Sequence, residues 1–238
     1  MSDLDEVLHD LVVANRILAH QNVVDAYGHV SVRHPSKSDR FFLSRSRSPE
    51  LVTKDDLLEF DLDCNPIDQR GREIYIERPI HGAIYQARQD VKSVIHNHSL
   101  EVVPFSISKT TKLRPVFHTA ASIGTEIPVW DIRKNFGDTN LLVTTMPQGH
   151  DLAKTLGAGW VSLMRGHGCA VAGTSLYEAV HTAVLLQDNA RVQAAAIRLG
   201  EFIELNPGEV AKAGGHGSQS RNSRAWEYWS RRAGADKL

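Results

Sequence analysis

The chain has 238 residues, of which 42% are hydrophobic and 23% charged, and its formal net charge is −1. These are globular proportions, and nothing in the charge balance points to nucleic acid or an anionic membrane. Two cysteines, Cys64 and Cys169, are too few for a disulfide framework, whereas twelve histidines against three methionines are the compositional oddity.

The opening MSDLDEVLHDLVVANRILAH spaces Leu4, Val7, Leu8, Leu11, Val12 and Leu18 for an amphipathic helix over 4–20. It carries acids early and lacks a basic n-region and a cleavage signal, so it does not read as a signal peptide. No apolar stretch is long enough to span a bilayer, and a cytoplasmic location is the expectation. Gly28 then breaks the helical pattern, and HVSVR alternates as a strand. Residues 40–43 and 57–63 predict two further strands on either side of the polar stretch SRSRSPE. Asn65-Pro66 turns the chain, and Ile74 and Ile76 continue the meander.

ERPIHGAIYQARQ predicts a helix, with Pro79 in its first turn and Glu77 at its mouth. VKSVIHNHS follows as a buried strand, and PVFH, EIPVW and NLLVTT are strand-like. HDLAKTLG reads as a short helix stopped by Gly157. WVSLM and CAVAG predict strands flanking the turn RGHG. Ser175 and Glu178 read as a capping box opening a long helix to about Leu199, which Gly200 ends. The Gly-rich NPGEVAKAGGHGSQS reads as a mobile connection, and SRAWEYWSRRAG as a short helix with Trp226 and Trp229 on one side. The pattern predicts one α/β domain over residues 1–205, followed by a connection and helical tail over 206–238. Short links between the early strands predict a largely antiparallel sheet.

Four segments carry candidate chemistry. In VIHNHS, strand alternation places His96 and His98 on one face, where two neutral imidazoles can share a cation; two polar residues on a wet face are the plain alternative. Glu77, just before the element leading into that strand, could act as general acid or base beside a metal, or simply complement a helix N-terminus. MRGHGCAVAG places His167 between glycines that allow close backbone approach, and with His-x-His it completes a three-histidine site with open positions. SRSRSP offers Ser44, Arg45, Ser46 and Arg47, two guanidinium forks among hydroxyls, suited to a carboxylate or phosphate, or to solvent as a basic loop. His29 and His118 read equally well as structural or site histidines, and His81 lies one turn beyond Glu77. No P-loop, GxGxxG or GxSxG pattern occurs.

Taken in order, GHVSVR, VTKDDLLEFDLD, ERPIHGAIYQARQDVKSVIHNHS and MRGHGCAVAG resemble the class II aldolase/adducin family over about residues 5 to 200. The resemblance implies a three-layer α/β/α sandwich with a central, mostly antiparallel sheet. It implies one divalent metal ion, Zn2+ or Mn2+, on His96, His98 and His167, an acid/base glutamate at Glu77, and a homotetramer with sites near subunit boundaries. The departures from the family's sugar-phosphate aldolases are specific. Tyr75 and Ile76 precede Glu77 where those enzymes place phosphate-binding serines. Gly28-His29 replaces Gly-Asn, and Gly166 replaces an asparagine before the third histidine. These replacements resemble the branch that decarboxylates hydroxylated aromatic or pyridine carboxylates.

The expectation is therefore a metal-dependent carbon-carbon lyase taking a small carboxylate substrate, with no nucleic-acid or membrane partner. Arg45 and Arg47, with Ser44 and Ser46, would grip a carboxylate, and Glu77, or His29 in its place, would deliver a proton to the ring carbon. Burial is expected to raise the Glu77 pKa for that task. An aldolase or epimerase of a sugar or sugar phosphate, and a non-catalytic adducin-like binding module, are the alternatives.

Overall fold

The computed structural model describes residues 3–213 and 219–235. Its centre is a seven-stranded sheet built from β1 (His29–Arg33), β2 (Arg40–Ser44), β3 (Leu57–Asp61), β4 (Ser93–Asn97), β5 (Val129–Trp130), β6 (Val161–Met164) and β7 (Gly168–Gly173). The spatial order is β3-β2-β1-β4-β7-β6-β5, and every pairing is antiparallel except β5 with β6. The helices are α1 (Asp3–His20), α2 (Pro79–Ala87), α3 (Val103–Ile107), α4 (Arg133–Phe136), α5 (Met146–Leu156), α6 (Leu176–Leu199), α7 (Pro207–Ala213) and α8 (Arg224–Arg232).

Both faces of the sheet are covered because its strands alternate between two apolar cores. Val30, Val32 and Ile95 join Leu11, Ile17, Val180 and Leu186 in the core beneath α1 and α6. Phe41, Leu43 and Val94 join Ile80, Ile84 and Leu152 in the core beneath α2 and α5. This is the expected three-layer α/β/α architecture. One file breaks the apolar pattern on the α2 side: His29, Ser31 and Arg33 of β1 are polar yet buried. On the opposite face α8 docks through Trp226, which is buried and meets the Tyr177 ring edge-on. Among the described residues, no helix is long and apolar enough to cross a membrane.

Several local expectations differ from the structure, each for an identifiable reason. PVFH is not a strand: backbone groups of residues 112–116 bond to two amide side chains of α6 instead of to a neighbouring strand. Gln193 accepts from the Arg114 N–H (2.9 Å) and donates to the Lys112 carbonyl (2.7 Å). Asn189 accepts from the Val116 N–H (2.8 Å) and donates to the Arg114 carbonyl (2.7 Å). NLLVTT is likewise unpaired: the Val143 N–H donates to Glu77, and the Thr144 and Thr145 N–H groups donate to Gln148. Ile74 makes one isolated bridge, with Arg45, and Ile76 is exposed, so the meander stops at β3. The predicted HDLAKTLG helix starts earlier, at Met146, where Thr145 and Gln148 form a capping box. The Gly-rich connection contains α7, and its residues 214–218, with His216, lie outside the described residues.

Candidate active site

β4 ends in the middle of the sheet, flanked by β1 and β7, and this placement assembles the site. His96 is its second-last residue and is fully buried; His98 follows the strand end, on the same side, and is partly exposed. His167 comes from the turn joining β6 and β7. That turn is specified by its glycines: Gly166 has φ +64°, and a Cβ on Gly168 would lie 2.0 Å from the Asn97 carbonyl oxygen. The Ser106 hydroxyl accepts the Gly166 N–H at 3.0 Å and ties the turn to α3. Chain segments some seventy residues apart in sequence are thereby pressed together.

The Nε2 atoms of the three imidazoles converge. His96 and His98 are 3.0 Å apart and His98 and His167 3.2 Å apart. Glu77 Oε2 stands 3.6 Å from His96 Nε2 and 3.5 Å from His167 Nε2, and one donor atom from each of the four residues lies within 4.8 Å of the others. His96 Nδ1 lies 3.0 Å from the Cys169 carbonyl, an acceptor only, so Nδ1 carries the hydrogen and Nε2 turns a lone pair inward. Asp25, 3.8 Å from His98 Nδ1, favours the same tautomer there.

Charge favours a cation as well. Burial holds the His96 imidazole down at about 3, so it is neutral at pH 7, and burial also lowers His98. Burial acts to raise Glu77, but the adjacent His167 and His96 rings and the Val143 N–H at 2.9 Å outweigh it, and the carboxyl falls to about 2. The sequence-based expectation of a raised Glu77 pKa is thus reversed. Imidazole nitrogens facing one another beside a carboxylate form a donor set suited to a cation. Their spacing approximates the edge of a zinc tetrahedron, about 3.4 Å for Zn–N bonds near 2.1 Å. The residues therefore fit a divalent cation.

Beside the cluster lies an open cavity of about 490 Å³, lined by Tyr27, His29, Ser46, Arg47, Glu77 and His98 among others. Tyr75, Ile76 and Leu142 supply further wall. Of the candidate anion-binding residues, the structure brings Ser46 and Arg47 to this cavity and not Ser44 or Arg45. Ser44 is buried on β2 and hydrogen-bonds the Tyr75 hydroxyl. Arg45 and Arg47 share Asp56, at 2.7 and 2.8 Å. Burial acts to raise Asp56, but hydrogen bonds from Thr53 and both guanidiniums hold it well below the ordinary carboxylate range. Two guanidiniums on one carboxylate leave a net charge of +1 beside the cavity, which Arg47 carries to its wall.

His29 is the cross-strand partner of His96, with ring centroids 5.1 Å apart. His118 begins a short 3-10 segment and is not among the residues lining the cavity. Sequence reasoning missed Asp56, the Val143 N–H, Ser106 and Asp25. Each acts through a contact made by folding, and only Asp56, three residues after Thr53, carries a local signal, that of a capping box.

Comparison with known proteins adds relatives to this geometry. The family described as Class II Aldolase and Adducin N-terminal domain matches residues 9–194. The chain is 37% identical to decarboxylase tropJ of Talaromyces stipitatus over 196 residues, covering 77% of this chain and 73% of that one. It is 25% identical to 3,4-dihydroxyphthalate decarboxylase of Arthrobacter keyseri over 234 residues, 92% and 90% of the two chains. A crystal structure of an aldolase II superfamily protein from Pseudomonas syringae superposes with a TM-score of 0.80 at 25% identity, covering 99% of this chain and 95% of that one.

Proposed function

The chain belongs to the class II aldolase and adducin family, and from that premise we propose that it is a metal-dependent decarboxylase of a hydroxylated aromatic or pyridine carboxylate. One observation carries the reading: three imidazole nitrogens and a carboxylate converge beside a cavity whose wall presents Arg47. The two named decarboxylase relatives support the choice of reaction within the family.

His96, His98 and His167 would hold the cation, with Glu77 adjacent. A bound divalent ion, Zn2+ or Mn2+, supplies Lewis acidity that stabilises negative charge on a substrate oxygen as the carboxylate departs. Arg47, with Ser46, orients the leaving or remaining carboxylate. The rings of Tyr75 and His29 and the side chains of Ile76 and Leu142 give a flat aromatic substrate apolar contact. Glu77 is ionised at neutral pH, so it first takes the proton of the substrate hydroxyl and then returns it to the ring carbon bearing the carboxylate. The C–C bond breaks, carbon dioxide leaves with the carboxylate oxygens, and the bonding pair returns to the ring. The product oxygen regains a proton from solvent, so the cycle consumes one proton, as decarboxylation of a carboxylate requires. We expect a homo-oligomer in the cytoplasm, acting on small molecules.

The test is a panel of ortho-hydroxylated aromatic and pyridine mono- and dicarboxylates incubated with zinc- or manganese-loaded protein, with carbon dioxide recorded. Release from at least one, abolished by chelation, is expected. Aldehyde release from a sugar phosphate with no gas from the panel would replace this reading by an aldolase. Inertness toward both, with no metal retained, would replace it by a binding module.

A further inference from the structure

The buried polar file on β1 divides in two: Arg33 donates to the backbone carbonyls of Ser38, Tyr85, Arg88 and Val91, whereas His29 and Ser31 make their short contacts with side chains. Two helical residues face it. His81 and Tyr85 are four apart on α2, a rise of about 6 Å, and His29 and Ser31 are two apart on β1, about 6.6 Å. The matched repeats zip the four side chains into one chain of short contacts. His29 Nδ1 to His81 Nε2, His81 Nδ1 to Ser31 Oγ, and Ser31 Oγ to the Tyr85 hydroxyl are each 2.7 Å. All four residues are buried, and one end of the chain, His29, lines the cavity.

The direction of these bonds follows from the lengths. Among the described residues the buried Tyr85 hydroxyl has Ser31 Oγ as its acceptor, at 2.7 Å, so Tyr85 is the donor in that contact. The hydroxyl hydrogen of Ser31 is then left with two acceptors, His81 Nδ1 at 2.7 Å and the Val94 carbonyl at 3.5 Å, which is the outer limit of a hydrogen bond. The short contact wins. Ser31 then donates to His81 Nδ1 while accepting from Tyr85. His81, neutral because burial holds it down at about 3, carries its hydrogen on Nε2 and donates to His29 Nδ1. His29 Nδ1, as the acceptor in that bond, carries no hydrogen, so the ring's single hydrogen sits on Nε2, the nitrogen left for the cavity that His29 lines.

We propose that the Tyr85–Ser31–His81 chain locks His29 in the Nε2–H form, making it a fixed hydrogen-bond donor to the negatively charged substrate. In this arrangement His29 is not a base, since its only lone pair is engaged by His81. It donates to oxygen charge in the cavity from a position that needs no reorganisation during reaction. His81 is a positioning residue that acts through His29. The catalytic part of the inference rests on the decarboxylase reading; the tautomer does not.

The two are separated by measuring the tautomer directly. Long-range 1H–15N correlation spectra of histidine-labelled protein, without substrate, are expected to show His29 protonated at Nε2. Protonation at Nδ1 overturns the proposal whatever the reaction proves to be. In the second arm, His81→Gln keeps an N–H donor near the position of Nε2 and His81→Leu removes it. With the best substrate of the panel, His81→Leu is expected to lose about ten- to a hundredfold in kcat with KM and metal content unchanged. His81→Gln is expected to stay within about fivefold of the parent on the same outer-shell scale. Equal impairment of the two variants would reveal a packing role and overturn the proposal, as would full activity in His81→Leu. If His81→Leu does not fold, the tautomer spectrum of the parent still decides.

Discussion

At the scale of single residues, Glu77 and Asp56 are both carboxylates held ionised, for opposite purposes. Glu77 lies beside three imidazole nitrogens and is proposed to move a proton. Glu77→Gln preserves shape and the histidine ligands but not basicity, so it is expected to keep the metal while losing about 10²- to 10⁴-fold in kcat. Metal analysis alongside steady-state rates checks this. Asp56 anchors two arginines and receives the Thr53 N–H and hydroxyl. Asp56→Ala is expected to destabilise by about 2 to 3 kcal/mol, less than for a fully buried pair, because each arginine side chain is 32% exposed. Urea unfolding measures it. The pH sign follows from the lowered pKa. The Asp56 contribution is fully present above its ordinary value of 3.8 and drains away as pH falls toward the lowered one. The stability of Asp56→Asn should therefore fall less steeply than that of the parent as pH drops below about 4. His96, His98, His167 and Glu77 were legible in sequence as a constellation, because strand alternation and glycine punctuation are local signals. The reversal of the Glu77 pKa was not, because it depends on partners distant in the chain.

At the scale of elements, the sequence announced those helices and strands whose apolar period is regular, among them α1, α2, α6, β1, β4 and β7. It failed where extended segments are satisfied by side chains. Residues 112–116 have strand-like composition but bond to Asn189 and Gln193, two buried amides four apart on α6 that imitate a strand edge. Polar residues inside a long helix ordinarily read as its wet face, and nothing local marks these as partners of a distant backbone. Removing either leaves a backbone N–H and a carbonyl unpaired. Asn189→Leu and Gln193→Leu are each expected to cost about 1 to 3 kcal/mol. Faster amide hydrogen exchange at Arg114 in Gln193→Leu, and at Val116 in Asn189→Leu, would report the loss locally. Exchange unchanged from the parent would show that the amides are incidental.

At the scale of the whole molecule, the sheet brings β4 between β1 and β7, and this order explains why one site contains residues from 29 to 167. An antiparallel centre was predictable from short early links, and the resemblance supplied the layering; the pairing of β4 with β7 was not readable from either stretch alone. In the proposed function, this strand order serves to gather one divalent cation. The most direct measurement is an anomalous difference map from crystals grown with manganese or zinc. One strong peak per chain is expected, bounded by the Nε2 atoms of His96, His98 and His167, and lost in His98→Ala. A map with no peak among those nitrogens, from crystals of protein that still turns over substrate, would contradict it.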